Sequence, residues 1–289
     1  MDARSATGVL GVLRRVLARP SGLFGLLVVA TLLVTAVFAP EIAPYSAGAQ
    51  NIVMRLQGPS IAHLMGTDHL GRDILSRIII GTRVELGLAV PAVLVALALG
   101  LVVGVAAGYL GGILDDCMVV LMDATQAFPA VILGLALLAL VGPSLKALGL
   151  VIAVAFSPQY GRVARASVLK LRQEPFIEAE RALGASNKRI MFVHVIPNII
   201  APLFILSAMN VPSAIAIEAG LSFLGLGVQP PTPSWGVILN DGFNRVREFP
   251  WPVIWVGLVL IITTLGFTLL GESLRDTIDP RLAGTRGGA

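Results

Sequence analysis

Charge is scarce in this sequence. Only 13% of its 289 residues are Asp, Glu, Lys or Arg, about half of the roughly 25% that a water-soluble domain carries. So little polar surface cannot cover a globule in water, and lipid must be part of the solvent; the mean hydropathy of +0.86 agrees. Cysteine is nearly missing: Cys117 stands alone, which excludes an internal disulfide and any cysteine-built metal site. The three histidines, His63, His69 and His194, have no paired ligand spacing. Nucleotide-binding and hydrolytic signatures are missing too. Lys146, Lys170 and Lys188 follow Leu, Leu and Asn, so no lysine stands in the glycine-rich loop that cradles phosphates. Neither the zinc-binding H-E-x-x-H pattern nor a G-x-S-x-G elbow occurs, and no nucleophile has a base beside it. The chain is expected to be no enzyme, in the membrane or outside it, and to hold no metal or cofactor. The net charge of +4 and the pI of 9.7 would suggest nucleic acid in a soluble protein. Here the basic residues lie mainly between apolar runs, where they report orientation, and no nucleic-acid partner is expected.

What the sequence has in plenty is long apolar runs. A bilayer core needs roughly 20 apolar residues per helix, and six runs qualify: about 22–39, 86–110, 117–141, 144–160, 199–224 and 251–271. The expected fold is therefore an all-α integral membrane protein with about six transmembrane helices. The fourth run is the weakest, with Lys146 near one end and Ser157, Pro158 and Gln159 near the other. Pro91, Pro129 and Pro212 fall inside spans, where neighbouring helices can satisfy the freed backbone groups. The first run is too long for a cleavable signal and lacks a small-x-small cleavage site. Lys and Arg split fourteen to seven between the two sides when the N-terminus is inside. The inside set is Arg4, Arg14, Arg15 and Arg19, seven between spans four and five, and Arg275, Arg281 and Arg286. That bias predicts both termini in the cytoplasm.

Two loops are large, an outer one of about 40–85 and a cytoplasmic one of about 161–198. In the second, Pro175 suits the first turn of a helix, and Phe176, Ala179 and Leu183 then share one face. Gly184 is a natural stop because it adopts a left-handed conformation freely. Ser186 can cap a second helix carrying Ile190, Val193 and Ile196, which Pro197 ends. Read without further information, this helix–turn–helix is either a solvated surface loop or an element shaped to dock.

Four stretches bear a family resemblance. Glu178-Ala179-Glu180, Gly184 and Ile196-Pro197-Asn198 resemble the EAA loop of ABC importer permeases, with Glu180 in place of the usual second alanine. Gly66-Thr67-Asp68-His69-Leu70-Gly71-Arg72-Asp73-Ile74-Leu75-Ser76-Arg77 is similar to the GTDxLGRDxLSR signature of one permease of peptide and nickel importers. Ser222-Phe223-Leu224-Gly225-Leu226-Gly227, with Gln229-Pro230-Pro231 and Ser234-Trp235-Gly236, is similar to the same subunit at the end of span five. Leu274-Arg275-Asp276 with Asp279-Pro280-Arg281 looks like its tail.

The resemblance covers nearly the whole chain and points to the C-type permease of dipeptide, oligopeptide, nickel or glutathione importers. It implies a type I importer permease fold in a bacterial inner membrane. The segments would be a cytoplasmic 1–21, a first helix and external loop over 22–85, a core permease domain over 86–271 and a cytoplasmic tail over 272–289. It also implies a second permease, two ABC ATPase subunits that hold ATP and Mg, and an external substrate-binding protein. Glu178, Ala179, Gly184, Ile196 and Pro197 would couple to the ATPase. Glu178 would pair with a basic group there, Ala179 would let the helix sink into a cleft, and Gly184 would make the turn.

The remaining motif residues carry more bland roles as readily. Asp68, Arg72 and Asp73 can form an ion-pair and capping cluster where the outer loop turns into span two; substrate contact is the alternative. Ser222, Gly225 and Gly227 permit a tight outer reversal, as structure or as part of a gate, and Trp235 and Trp251 suit the interfacial belt. Asp123 in span three and Glu218 in span five are carboxylates at membrane depth, where such groups are costly and face protein or water. They are either satisfied between helices or border a translocation route that Asn210 and Gln126 extend. A gradient-driven transporter or channel would explain these carboxylates, but it gives no reason for the cytoplasmic helix–turn–helix.

Overall fold

The computed structural model of the chain describes residues 9–278. Arg4, Arg281, Arg286 and the tail residues Asp279 and Pro280, read above from the sequence, lie outside them. The described residues form α1 (Val9–Leu17), α2 (Pro20–Val37), α3 (Ala39–Ile42), α4 (Ile74–Leu110), α5 (Gly112–Gln126), α6 (Ala130–Val141), α7 (Leu145–Leu171), α8 (Pro175–Ala182), α9 (Asn187–Arg189), a π-helical turn (Ile190–Val195), α10 (Ile196–Phe223), α11 (Trp235–Phe243) and α12 (Trp251–Ile278). Five of these runs are long and apolar enough to cross a membrane: α2, α4, α7, Asn187–Phe223 and α12. Helices α5 and α6 together make a sixth as a bent pair. The large apolar side chains left exposed, such as Leu94, Val102, Val120, Ile132, Phe204 and Ile261, give the outside of the bundle a lipid-like surface.

Several boundaries differ from the sequence reading. Helix α4 starts at Ile74, not near 86, because Asp73 caps it by accepting from the Ser76 N–H at 2.7 Å. At about 1.5 Å per residue its 37 residues reach about 55 Å, well beyond the roughly 30 Å of a hydrocarbon core. The third span is not one helix: α5 and α6 meet at 92°. Pro129, just before α6, pushes Phe128 out of the helical region, so the chain turns there. The fourth span runs on to Leu171 through Pro158. Arg162 and Arg165 therefore ride on its C-terminal turns, where the sequence reading had a loop. Helix α12 likewise continues through Arg275 and Asp276, and Asp276 accepts from Arg19 at 2.9 Å.

Helices α4 and α7 form the closest pair in the bundle. Gly100, Gly104 and Gly108 repeat at every fourth position of α4, so one face is bare backbone. Ser157, Gly161, Ala164 and Arg165 of α7 lie directly against it. Small residues at this spacing let membrane helices approach closely and gain van der Waals contact, since lipid offers no hydrophobic drive to pair. Helix α2 packs on α12 in the same manner, with Gly25 against the Leu270 backbone. The bundle thus holds α4, α7 and α10 at its centre and suspends the 172–195 segment between the C-terminal end of α7 and the N-terminal end of α10.

Candidate functional site

The 172–195 segment is built outward from one buried anchor. Pro175 occupies the first turn of α8, and Ile177 is fully buried. The opposite face stays bare: Phe176 is 43% and Leu183 84% exposed, with Ala179 and Glu178 exposed beside them. Gly184 has φ of +82° and donates to the Arg181 carbonyl at 3.0 Å, so it closes α8 with a left-handed residue. Ser186 then caps α9, accepting from the Arg189 N–H at 3.3 Å. Phe192 and Val193 add further exposed apolar surface.

Pro197 does not end a helix, in contrast to the sequence reading. Asn187–Phe223 is one continuous helical run, and Pro197 sits in the first turn of α10 directly after the π turn. A proline removes one backbone donor, and the wider π register before it accommodates the missing bond. Ile196 and Pro197 therefore join the loop rigidly to the membrane-spanning α10.

A second tie runs to α4, and the sequence reading missed it. The Tyr109 ring, at the C-terminal end of α4, lies 5.9 Å from the guanidinium carbons of both Arg172 and Arg181. Its hydroxyl donates to Asn187 Oδ1 at 2.9 Å. Arg172 also donates to the Gly108 carbonyl at 2.9 Å. Glu180 and His194 lie 3.4 Å apart across the segment. The one sequence signal was an aromatic beside Gly111 at a span end, which reads as an interfacial anchor.

At the N-terminal end of α4, Asp68 is the hub of an ion-pair knot. Its Oδ2 accepts from Arg72 Nε at 2.6 Å and from Arg77, and its Oδ1 accepts from the Leu70 and Arg72 backbones. Both arginines also reach Asp241 of α11, at 3.0 and 3.2 Å. Burial alone would push the Asp68 carboxyl up, but Arg77, the Arg72 and Leu70 N–H groups and the Arg72 charge together hold it below the usual carboxylate range. Asp68, His69 and Asp241 could gather round a metal ion by distance. Arg72 and Arg77 already hold the two carboxylates, so the group acts as an ionic clasp between the outer loop, α4 and α11. Asp73 completes it, accepting from the Ser76 hydroxyl at 2.7 Å and pairing with His63 Nδ1 at 2.8 Å.

The reversal after α10 is tied to α11 by Asn240, whose side-chain N–H donates to the Phe223 carbonyl at 2.7 Å. Gly225 has φ of +80°, and Gly227 lies directly on Ser222. Ser222 donates to Glu218 at 2.6 Å and accepts from the Val228 N–H at 2.8 Å.

The expected polar route is not assembled within the chain. Asp123 is largely exposed on α5 and pairs with Arg162 at 3.1 Å. One helical stretch away, Asp115 makes a two-pronged bond to Arg165 at 2.5 and 2.6 Å. Asn210 is buried between α10 and α7, donating to Gln159 at 3.0 Å and Tyr160 at 3.2 Å. Gln126 is exposed at the end of α5. Glu218 is fully buried and bonded to Ser222, near Glu85 of α4, a residue the sequence reading left among the loop charges.

Comparison with known proteins identifies the family of this helical bundle. Residues 100–284 match the family described as binding-protein-dependent transport system inner membrane component. Residues 11–59 match the N-terminal TM domain of oligopeptide transport permease C. The chain is 40% identical to a dipeptide transport system permease protein of Alkalihalophilus pseudofirmus, over 89% of this chain and 85% of that one. It is 38% identical to a glutathione transport system permease protein of Pectobacterium atrosepticum, over 93% and 89%. It is 37% identical to a nickel transport system permease protein of Escherichia coli, over 89% and 93%. Among solved structures, an amino acid ABC transporter crystallised with histidines overlays with a TM-score of 0.49 at 17% identity, over 66% of this chain and 92% of that one. The chain belongs to the binding-protein-dependent inner membrane component family and is a permease subunit of an ABC importer.

Proposed function

We propose that this chain is the C-type permease of a peptide importer and that residues 176–197 are its contact with the ATPase. It pairs with a second permease, two ATPase subunits carry ATP and Mg, and an external binding protein delivers the substrate. Both termini face the cytoplasm of a bacterial cell. Closure of the ATPases on ATP pulls α8, and the pull reaches the membrane by two routes, through Pro197 into α10 and through Tyr109 into α4. The helices then swing between inward- and outward-open arrangements. The observation that carries this reading is the exposed apolar face of α8: Ala179 and Leu183 are open to solvent and Phe176 is part-exposed, its ring meeting His194 edge-on, on a helix anchored from behind by the buried Ile177. A peptide cargo is favoured by relatives bearing dipeptide, peptide and di/tripeptide names, with glutathione and nickel as the other named cargoes. The Asp123–Arg162 pair is the best candidate in this chain for a polar wall of the route, because both side chains remain open to solvent.

Tyr109→Ala tests the α4 route. In proteoliposomes holding the complete complex and its binding protein, uptake of a labelled dipeptide is expected to fall roughly tenfold, within the usual span of coupling between sites. ATP hydrolysis should persist, and Tyr109→Phe should lose less because the ring stays between the two guanidiniums. Unchanged dipeptide uptake by the alanine variant would remove α4 from the coupling path.

A further inference from the structure

Two carboxyl groups meet where α4, α10 and α11 join, away from the coupling loop. Glu85 and Glu218 are both at 0% exposure. Each has one satisfied oxygen. Glu85 Oε1 accepts the Trp235 backbone N–H at 2.8 Å, and Glu218 Oε1 accepts the Ser222 hydroxyl at 2.6 Å. That hydroxyl is itself filled as an acceptor by the Val228 N–H, which leaves its proton directed at Glu218.

The second oxygens are different. Neither Glu85 Oε2 nor Glu218 Oε2 meets a donor among the described residues, and the two side chains are held at one junction: Glu85 bonds Trp235, the adjoining Gly236 lies on Ser222, and Ser222 bonds Glu218. An ionised carboxylate only accepts, so two carboxyls can share a hydrogen bond only when one of them carries a proton. No neighbouring cation offers another solution. On α4, Arg77 gives its Nη1 to Asp68 and Asp241, and its unpartnered Nε belongs to a residue about 12 Å along the helix from Glu85; Arg83 is exposed. Helix α10 has no Lys, Arg or His. The charged residue of α11 is Asp241, which Arg72 and Arg77 hold.

We propose that Glu85 and Glu218 form one buried proton-binding site, an acid–carboxylate pair whose bound proton fastens α4 to α10 beneath α11. The proton comes from bulk water and replaces a repulsion by a hydrogen bond. Without it, two like charges would face each other in a dry site, the arrangement in which both carboxylates cannot stay ionised together. The loop between α10 and α11 hangs on the same two groups, through Val228 by way of Ser222 and through Trp235 directly. Loss of the proton would therefore loosen the outer reversal along with the helix pair.

The test uses the full chain with its partner permease in lipid nanodiscs. Infrared spectra at neutral pH should contain a protonated-carboxyl carbonyl band that vanishes in Glu218→Gln and in Glu85→Gln, measured separately so that one unfolded variant does not end the experiment. Either glutamine places an N–H where the proton was, so each variant should keep the wild-type melting temperature. Glu218→Ala should melt several degrees lower at every pH. A wild-type spectrum with no band removed by either glutamine would overturn the proposal. So would a melting temperature that follows sodium concentration at fixed pH, which would put a metal cation between the oxygens.

Discussion

Gly184→Pro is expected to abolish ATP-driven uptake while the chain still inserts and still meets its partner permease. Gly184 holds φ at +82°, and a proline ring fixes φ near −65°. The substitution also deletes the N–H that binds the Arg181 carbonyl. The strain, about 3 kcal/mol or more, falls on the turn that aims α8 and leaves the membrane helices alone. Coupling free energies between sites run to about 3 kcal/mol, a factor of roughly 150, so a disturbance of this size should reduce uptake about a hundredfold. Glu178→Lys provides the chemical counterpart, since it reverses an exposed charge on the same helix without altering the turn. Wild-type uptake by both variants in the complete complex would refute a docking role for this loop.

Gly104→Leu should prevent the bundle from forming. A Cβ at this position would lie 2.7 Å from the Ala164 Cβ and directly on the Gly161 carbonyl of α7. Overpacking costs about 1–3 kcal/mol where side chains can shift. Here the obstacle includes backbone, so α4 and α7 must separate along the whole Gly100–Gly104–Gly108 face. The expected result is a loss of monodisperse protein on size-exclusion chromatography, at most a few per cent of the wild-type yield surviving. Gly87→Leu on the same helix should leave the yield unchanged, because nothing lies within 4 Å of its added carbon. Equal yields for the two variants would contradict the close α4–α7 packing.

How much of this was legible in the sequence depended on whether the determinant was local. Pro175, Gly184 and Ser186 act on their own backbones, and each serves in the structure where its chemistry pointed. The spans were legible from apolar length alone. What was missed depends on partners distant in the chain. Ser157-Pro158-Gln159 looked like a helix end, but in α7 the Ser157 hydroxyl bonds the Val154 carbonyl and Gln159 accepts from Asn210. Arg162 and Arg165 looked like loop charges until α5 supplied Asp123 and Asp115 as partners. Glu85 stood one residue before the expected start of span two, at the end of the expected outer loop, and was given no role. Its burial follows from α10 and α11, more than a hundred residues later. The 92° break had a local cause in Pro129, yet the apolar run was continuous across it, and membrane prolines are often absorbed without a break.

The central claim is that α8 faces the cytosol and is covered there by the ATPase. Leu183→Cys in a Cys117→Ser background offers the most direct measurement, because the native Cys117 is exposed and would otherwise react. A membrane-impermeant maleimide should label Leu183→Cys in inside-out vesicles stripped of ATPase, fail to label it in right-side-out vesicles, and lose access when the ATPase is restored. Labelling from the outer side, or undiminished labelling with the ATPase bound, would contradict the account.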